Sequence, residues 1–554
     1  MPKHPLRVIP LGGLGEIGKN MMALEYHKDI IVIDAGVMFP EADMPGVDLV
    51  IPDISYLVEN KERVRAIFIT HGHEDHTGAL PFILRELHVP VYAPRLALGL
   101  ISVKLGEHKG LKGSKLIEAT PGKEVHVGDF RVNFFPVCHS IPDAMGLAIK
   151  TPLGLVIHTG DFKIDHTPVN GMPTDLTALA QLSEAGVFLL LSDSTYAELP
   201  GYTPSEMVVG EVLERVIGAS EGRVMVATFA SLISRVQQVI DAAHKHEKKV
   251  ALIGRSMVNN AKMALEMGYL TDPGGVITPL RELRKFSNDR VVLVITGSQG
   301  EPTSALVRIS NRDHRDVEIT PGDTVVVSAT PIPGNEKAVS RAIDNLYRQG
   351  AHVLHDKIAL VHVHGHASQE ELKIVLNLTR PKFFVPVHGQ FRHLVTHADL
   401  AYSIGIPQEN SFVLEDGDVL ELTSTGGKVV DRVPAGHVYV DGLSTWDMKS
   451  VVLRDRRALS RDGIVVVVLT INKTTGKIVK TPEVVSSGFV EGSESLDLIK
   501  SKSESIIATL GHRDETSQPP VSGYITTKVK ESLGNFLYEQ TGRRPMIVPV
   551  VVEV

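Results

Sequence analysis

The sequence predicts a multidomain α/β protein, and three observations carry that prediction. Short apolar runs of strand length recur between helical patterns, polar groups gather at the ends of several of those runs, and a block of strands and long helices from about Glu211 interrupts the histidine-rich part of the chain until Val361. At 554 residues one core cannot serve, and three or four domains are expected. The composition, 43% hydrophobic and 22% charged, is globular, and no run approaches the roughly 20 apolar residues of a membrane span. The start, Met1 to Arg7, leads into Val8-Ile9-Pro10-Leu11 without signal-peptide features. A single cysteine, Cys138, excludes an internal disulfide framework and points to a reducing cytoplasm. A net charge of −8 argues against a generally basic nucleic-acid coat, so a polyanion would have to meet a local positive groove or bound metal.

The first glycine-rich stretch, Leu11 to Asn20, contains Gly13-x-Gly15-x-x-Gly18 after a strand. A dinucleotide-binding turn should open a helix, but Met21 to Tyr26 reads as a second strand, so a glycine-rich β-turn is expected instead. Ile30 to Ile33 is a buried strand ending in Asp34, a carboxylate that either shapes a turn or orients a ligand. The run Val64 to Ile69 then leads into Thr70-His71-Gly72-His73-Glu74-Asp75-His76, on a turn between a strand and a helix beginning near Gly78. Alternation puts His71 and His73 on one side, and the bend at Asp75-His76 turns the second pair towards a neighbouring point. With 24 histidines in the chain a single His-x-His is more often chance than a site; four ligand-type residues in this spacing point to metal, and to two adjacent ions better than one.

Further strand ends carry similar groups. His139 follows Val132 to Val137, Asp161 follows Leu155 to His158, and Asp193 ends Leu189 to Ser192. Cys138 beside His139 reads as a small core residue before it reads as a ligand. Polar groups repeated at strand ends describe a sheet-edge active site. From about Glu211, strands at Arg223–Thr228, Val250–Ile253, Val291–Thr296 and Thr324–Ser328 alternate with helices as in a parallel α/β domain. The loops after them, around Phe229 to Ser231, Gly297 to Gly300 and Ala329 to Asn335, carry small and hydroxyl residues; each alone is a turn, but together they favour an anionic ligand. Histidines return at Val361 to Ser368 and at Phe383 to Gly389, read as two strands flanking a helix from Gln369. His362 is expected to pack, His366 to lie on the turn opening that helix, and His388 to be a ligand at a strand end. Lys449 to Asp462 reads as an ordered or partly ordered linker. The last unit, Ile464 to Val552, has helical patterns near Leu496 to Lys500 and Val529 to Leu533 but no ligand cluster, which suggests assembly or substrate grip.

The set Asp34, His71-x-His73-x-Asp75-His76, His139 and Asp161 resembles the motifs of the metallo-β-lactamase superfamily in order, and the α/β insertion before His388 resembles the β-CASP nucleases. Leu11 to Asn20, Ser192 to Glu198, Ala230 to Arg235, Gly365 to Ser368 and Pro386 to Gly389 look like bacterial ribonuclease J, and the likeness spans essentially the whole chain. That pattern has Asn where Tyr196 stands and often a polar residue at Leu232. The resemblance implies an αββα sandwich of residues 1–210 and 359–446, an inserted parallel α/β β-CASP domain of residues 211–358, a linker at 447–462 and a small α/β domain at 463–554.

It also implies roles. His71, His73 and His139 would hold one ion, with Asp161 bridging to a second held by Asp75, His76 and His388, and Asp34 supporting from behind. Zinc suits this donor set first and manganese is the alternative. Asp75 and His76, with Asp193 and His366, would be catalytic, the last two orienting and protonating the leaving group. Gly365, His366, Ala367 and Ser368, with Ser231 across the cleft, would grip an RNA phosphate and measure a 5′-monophosphate end. The implied activity is a two-metal ribonuclease, both 5′-to-3′ exonuclease and endonuclease, in RNA decay and maturation, as a homodimer or homotetramer and as part of an RNA-decay assembly. A thioester or lactone hydrolase shares the metal motif but has no need of residues 211–358. A non-catalytic scaffold would be expected to lose ligands, and here every position is filled. His388, where DNA-processing relatives tend to carry an apolar residue, favours RNA.

Overall fold

The computed structural model describes residues 4–554 except 42–43, 109–110, 112–113, 170, 302, 333–334, 443, 448–450, 474–477, 490–496, 498 and 506–521. The chain forms two compact units, Met1–Phe39 with Leu49–Val438, and Pro40–Asp48 with Tyr439–Val554.

Two sheets face each other in the first unit. One has eight strands in the order Gly427–Arg432, Asp418–Leu422, Leu6–Gly12, Met21–Tyr26, Asp29–Ile33, Val64–Phe68, Val91–Ala93 and Leu116–Glu118. The other has six, Phe383–Val387, Val187–Asp193, Gly154–His158, Met145–Thr151, Phe130–Pro136 and Val125–Val127. Alternate residues of each strand meet in the core between them: Leu6, Val8, Leu24, Ile31 and Phe68 pack with Phe134, Leu147, Val156, Leu191 and Val385. The outer face of the six-stranded sheet, through Ala148, Ile157, Leu190 and Phe384, packs against Leu179 of the helix Leu176–Ser183, Leu372 and Val375 of Gln369–Thr379, and Ala401 of Phe391–Ser403. Burial on both faces explains why these strands read as continuous apolar runs. The arrangement is the αββα sandwich.

The inserted segment forms a parallel five-stranded sheet in the order Lys249–Ile253, Val291–Ile295, Val224–Ala227, Thr324–Val327 and His352–Leu354. Val226, Val250, Val292 and Val326 bury one face under the helices Met207–Ala219, Ile233–Lys245 and Arg255–Met267; Met225, Leu293 and Val325 bury the other under Ala305–Ser310 and Glu336–Arg348.

Strand register is what builds the site. Gly154–His158, Val187–Asp193 and Phe383–Val387 run parallel, with His158 opposite Leu191 and Leu191 opposite Val385. Their carboxyl ends therefore emerge together, and Asp161, Asp193 and His388 leave the sheet at one edge. One expectation is corrected. Val361 to His364 is not a strand, because Arg235 Nη1 and Ser328 Oγ both donate to the Val361 carbonyl and no ladder partner is recorded among the described residues.

In the second unit the strands Ile478–Ser487, Ile464–Ile471 and Met546–Glu553 form one sheet. Val465, Val467 and Leu469 face Ile525, Val529, Leu533 and Leu537 of the helix Ser522–Thr541. The stretch expected as a linker contains the helix Val451–Asp462, with residues 448–450 outside the described residues; so are Leu496 and Leu498, and Pro333 and Gly334 of the loop after Val327. No described helix is long and apolar enough to cross a membrane.

Candidate metal centre

The histidine cluster lies where the sequence puts it, but its second half is already helical. His73 caps the short helix Glu74–Thr77 before a second helix, Leu80–Glu86. The carbonyls of Glu74, Asp75 and His76 accept from the backbone N–H groups of Val37, Asn20 and Ala35 at 2.8–3.0 Å, so the turn is fixed against two other segments. Gly36 is required there, because a Cβ would lie 1.6 Å from the Asp75 carbonyl oxygen.

Three groups of ligand atoms result, the third of which, Asp161, Asp193, His366 and His388, overlaps the second. In the first, His73 Nδ1 lies 3.0 Å from His71 Nε2 and 3.1 Å from His139 Nε2. His139 Nδ1 donates to the Gly365 carbonyl at 2.7 Å, which leaves its Nε2 as a lone pair facing the other two rings. Gly365 is needed for that approach, since a Cβ would come within 2.6 Å of the His139 ring. In the second group, Asp161 accepts from His388 Nδ1 at 2.8 Å and lies 3.1 Å from His76 Nε2, while Asp75 lies 3.5 Å from His76 and 3.6 Å from His388 Nε2. Asp161 Oδ2 is also 3.7 Å from His71 and 3.8 Å from His139, so it faces both groups.

Supporting residues aim these side chains. Asp34, held at φ 61°, accepts from His76 Nδ1 at 2.8 Å and from the Thr70 N–H at 2.8 Å and hydroxyl at 2.9 Å. His388 has φ 54°. Left-handed backbone at a residue other than glycine costs energy and gathers at functional sites. Beside these groups, His366 Nδ1 donates to Asp193 Oδ2 at 2.7 Å, and Asp193 Oδ1 accepts from the N–H and hydroxyl of Thr195.

Charge in the cluster is divided sharply. Burial pushes His71 and His139 well below the ordinary histidine value and His73 down to about 4, leaving neutral imidazole lone pairs in the first group. Burial acts the same way on His76, but Asp161, Asp75 and Asp34 outweigh it and favour a positive charge at that ring. The carboxylates that favour a proton on His76 Nε2 favour a cation there equally. Burial opposes ionisation of Asp161, yet His388 and His76 hold it well below the carboxylate range. Burial would lower His366, but Asp193 lifts it to about 9.

The donor set fits a divalent cation. His388 Nε2 is buried without a hydrogen-bond partner, an arrangement that costs free energy unless something electropositive meets it. Neutral imidazoles in the first group and ionised carboxylates in the second, with the ligand atoms of each within 4.8 Å of one another, are what zinc or manganese takes.

Comparison with known proteins agrees. Family models match residues 14–183 as the metallo-beta-lactamase superfamily, 221–346 as the ribonuclease J beta-CASP domain, 352–409 as a Zn-dependent metallo-hydrolase RNA specificity domain and 451–554 as the ribonuclease J C-terminal domain. Ribonuclease J 1 of Streptococcus pyogenes serotype M3 is 45% identical, over 98% of this chain and 97% of its own. The chain belongs to the ribonuclease J family. Ribonuclease J of Thermus thermophilus is likewise 45% identical, over 100% of this chain and 96% of its own. A solved structure of a protein of unknown function from Enterococcus faecalis V583 shares the fold, with TM-score 0.53, 18% identity, 76% of this chain and 100% of its own covered. As a member of the ribonuclease J family, the chain is a metal-dependent ribonuclease.

The remaining expected residues are placed unevenly. Ser368 is buried as the N-cap of Gln369–Thr379, in a capping box with Glu371 and 3.0 Å from the Thr203 hydroxyl. The next backbone N–H groups, of Gln369 and Glu370, donate to the Leu199 and Gly201 carbonyls. Ala367 packs in the core, and Ser231 lies on the turn before Ile233–Lys245, its carbonyl accepting from the Ile233 N–H. His362 is half-buried, and burial beside Arg235 lowers it to about 3.

Three contributors were not expected from sequence. Asn20 Nδ2 donates to the Asp75 carbonyl at 3.1 Å and lies 3.2 Å from His76 Nε2; its signal was a polar pair, Lys19-Asn20, directly before a fully buried strand. Thr70 holds Asp34, as above. Tyr196 stacks on His364 at 3.8 Å, and His364 Nδ1 donates to the His366 carbonyl at 2.9 Å.

Proposed function

We propose that this chain hydrolyses RNA phosphodiester bonds with two divalent ions, zinc before manganese, degrading RNA 5′ to 3′ from monophosphorylated ends and also cutting internally, in RNA decay and maturation in the cytoplasm. The observation that carries this reading is that Asp161 faces two complete ligand groups at once. His71, His73 and His139 would hold one ion and Asp75, His76 and His388 the other, with Asp161 shared and Asp34 fixing His76. Bound at these residues, two cations would supply an activated water and neutralise charge on the attacking and leaving oxygens. Asp75 and His76 set the geometry of the nucleophile. Protonated His366, aligned by Asp193, donates to the departing oxygen. Cleavage of end-labelled RNA alongside zinc analysis tests the whole assignment; hydrolysis by protein stripped of metal would overturn it.

We assign the phosphate grip to Gly365, His366 and Ala367, with Ser368 keeping the turn in shape and Ser231 on the opposite wall. The N–H groups of Ser368, Gln369 and Glu370 are already bonded, so the turn has few donors left to offer, and we take it to seat one terminal phosphate better than three. RNA with a 5′-monophosphate should therefore be degraded faster than 5′-triphosphorylated RNA, and Ser368→Ala should shrink that ratio while costing about 1 kcal/mol of stability through the lost cap. Equal rates on the two ends in the unaltered protein would count against the pocket.

We also propose a homodimer or homotetramer, and a place in an RNA-decay assembly. In the second unit the sheet face opposite the helix Ser522–Thr541 exposes Val485, Val550 and Val552, in register with Val466, Val468 and Thr470. Truncation after Lys449 should shift light scattering towards monomer and weaken activity on long RNA, with the metal retained because every ligand precedes it. An unchanged oligomer with full activity on long RNA would leave this unit without that role.

A further inference from the structure

Lys19 is completely buried, and a buried ammonium persists only when it is paired. Its Nζ lies 3.0 Å from Glu16 Oε1 and 3.5 Å from Asp416 Oδ2, close ion pairs that lack hydrogen-bond geometry. Both carboxylates reach outward from the pair: Glu16 Oε2 lies 2.8 Å from His437 Nε2, and Asp416 Oδ1 accepts from the Leu14 N–H at 3.1 Å. Burial pushes Asp416 up to about 7, whereas His437 and Lys19 overcome burial to hold Glu16 at about 2. The ammonium therefore answers mainly to Glu16, three residues earlier in the same glycine-rich segment.

That segment touches the metal centre at both of its ends. At one, Leu14 and Gly15 pair with Gly389 and Gln390, and the Gly389 N–H donates to the Gly13 carbonyl at 3.2 Å, immediately after His388. At the other, the Lys19 N–H donates to Val37 at 2.9 Å, the Asn20 N–H donates to the Asp75 carbonyl at 3.0 Å, and the Asn20 amide lies against His76. The residues so contacted are Asp75, His76 and Gly389, the neighbour of His388, so these contacts fall on or beside the group of Asp75, His76, Asp161 and His388. The segment makes no recorded hydrogen bond to His71, His73 or His139 among the described residues.

We propose that Lys19, clamped by Glu16 and Asp416, is a positioning residue for one half of the centre: it fixes the glycine-rich segment so that Asp75, His76 and His388 converge, and leaves the three-histidine half independent. The proposal rests on the two-ion reading above. Supporting shells of this kind alter metal affinity by about 10–100-fold when removed.

The test is zinc per chain, measured by elemental analysis after dialysis of the full-length protein against graded chelator, with melting temperature recorded alongside. Lys19→Met should release one zinc at about tenfold lower chelator strength and retain the other, and Lys19→Arg should restore the tighter ion. A folded Lys19→Met protein that holds both ions as tightly as the unaltered chain, or loses both together, overturns the proposal. Should Lys19→Met fail to fold, Glu16→Gln, which keeps an acceptor for the Gly13 N–H, decides in its place: selective weakening of one ion supports the clamp, and unchanged binding of both overturns it. If the unaltered chain does not hold two ions, it is the two-ion reading that fails, and that result is visible before any variant is made.

Discussion

Asp161→Ala should lower kcat/KM for RNA by at least about a thousandfold, equivalent to ~4 kcal/mol of barrier, in a protein that remains folded. The carboxylate is fully buried, accepts from His388 and faces His71, His76 and His139, so its loss removes a contact from both ligand groups at once. No apolar core residue changes, and the strands that carry the site keep their register. His76→Ala should approach the same loss, since it removes a proposed ligand and the ring that donates to Asp34. Near-normal turnover of a folded Asp161→Ala protein, with its metal content measured in parallel, would sink the shared-carboxylate assignment.

His366→Ala should cost about a hundredfold to ten-thousandfold in kcat while the metal stays bound, the range expected for a positioned general acid. The pH profile separates this role from a structural one. Burial alone would lower His366, and Asp193 reverses that to about 9, so the ring is protonated at neutral pH and loses its proton as pH rises through that value. An acid must carry its proton to act, so activity should fall on the alkaline side. Asp193→Asn removes the charge that sustains the proton while keeping an acceptor for Thr195, and the alkaline limb should move to lower pH. A limb that stays in place in Asp193→Asn would assign the protonated group elsewhere.

The clustering of His71, His73, Asp75 and His76 was legible because it is local: the four share one turn, and Gly72 and the preceding apolar run announce its geometry. His139, Asp161, Asp193 and His388 were legible for a different reason, each following a buried strand in a chain whose strands had to form a sheet. Asp34 stayed open between turn and site, because only the folded chain shows its left-handed backbone and its contact with His76. Lys19 and Asn20 stood out only as a polar pair before a buried strand, and their roles did not, since their partners Asp75, His76 and Asp416 are distant in sequence. Val361 to His364 alternates like a strand but has its carbonyl taken by Arg235 and Ser328, a competition that no periodicity can reveal. At Ser368 the sequence offered a hydroxyl on a turn, and the fold places that hydroxyl inside a capping box.

Metal-dependent RNA cleavage is tested by cutting 5′-end-labelled RNA and matched DNA with the same preparation, before chelation, after it, and after return of zinc or manganese. RNA should be cut and DNA should not, chelator should abolish cleavage, and divalent metal should restore it in the unaltered chain but not in Asp161→Ala. Cleavage of RNA that survives complete removal of metal, or equal cleavage of the matched DNA, would contradict that expectation.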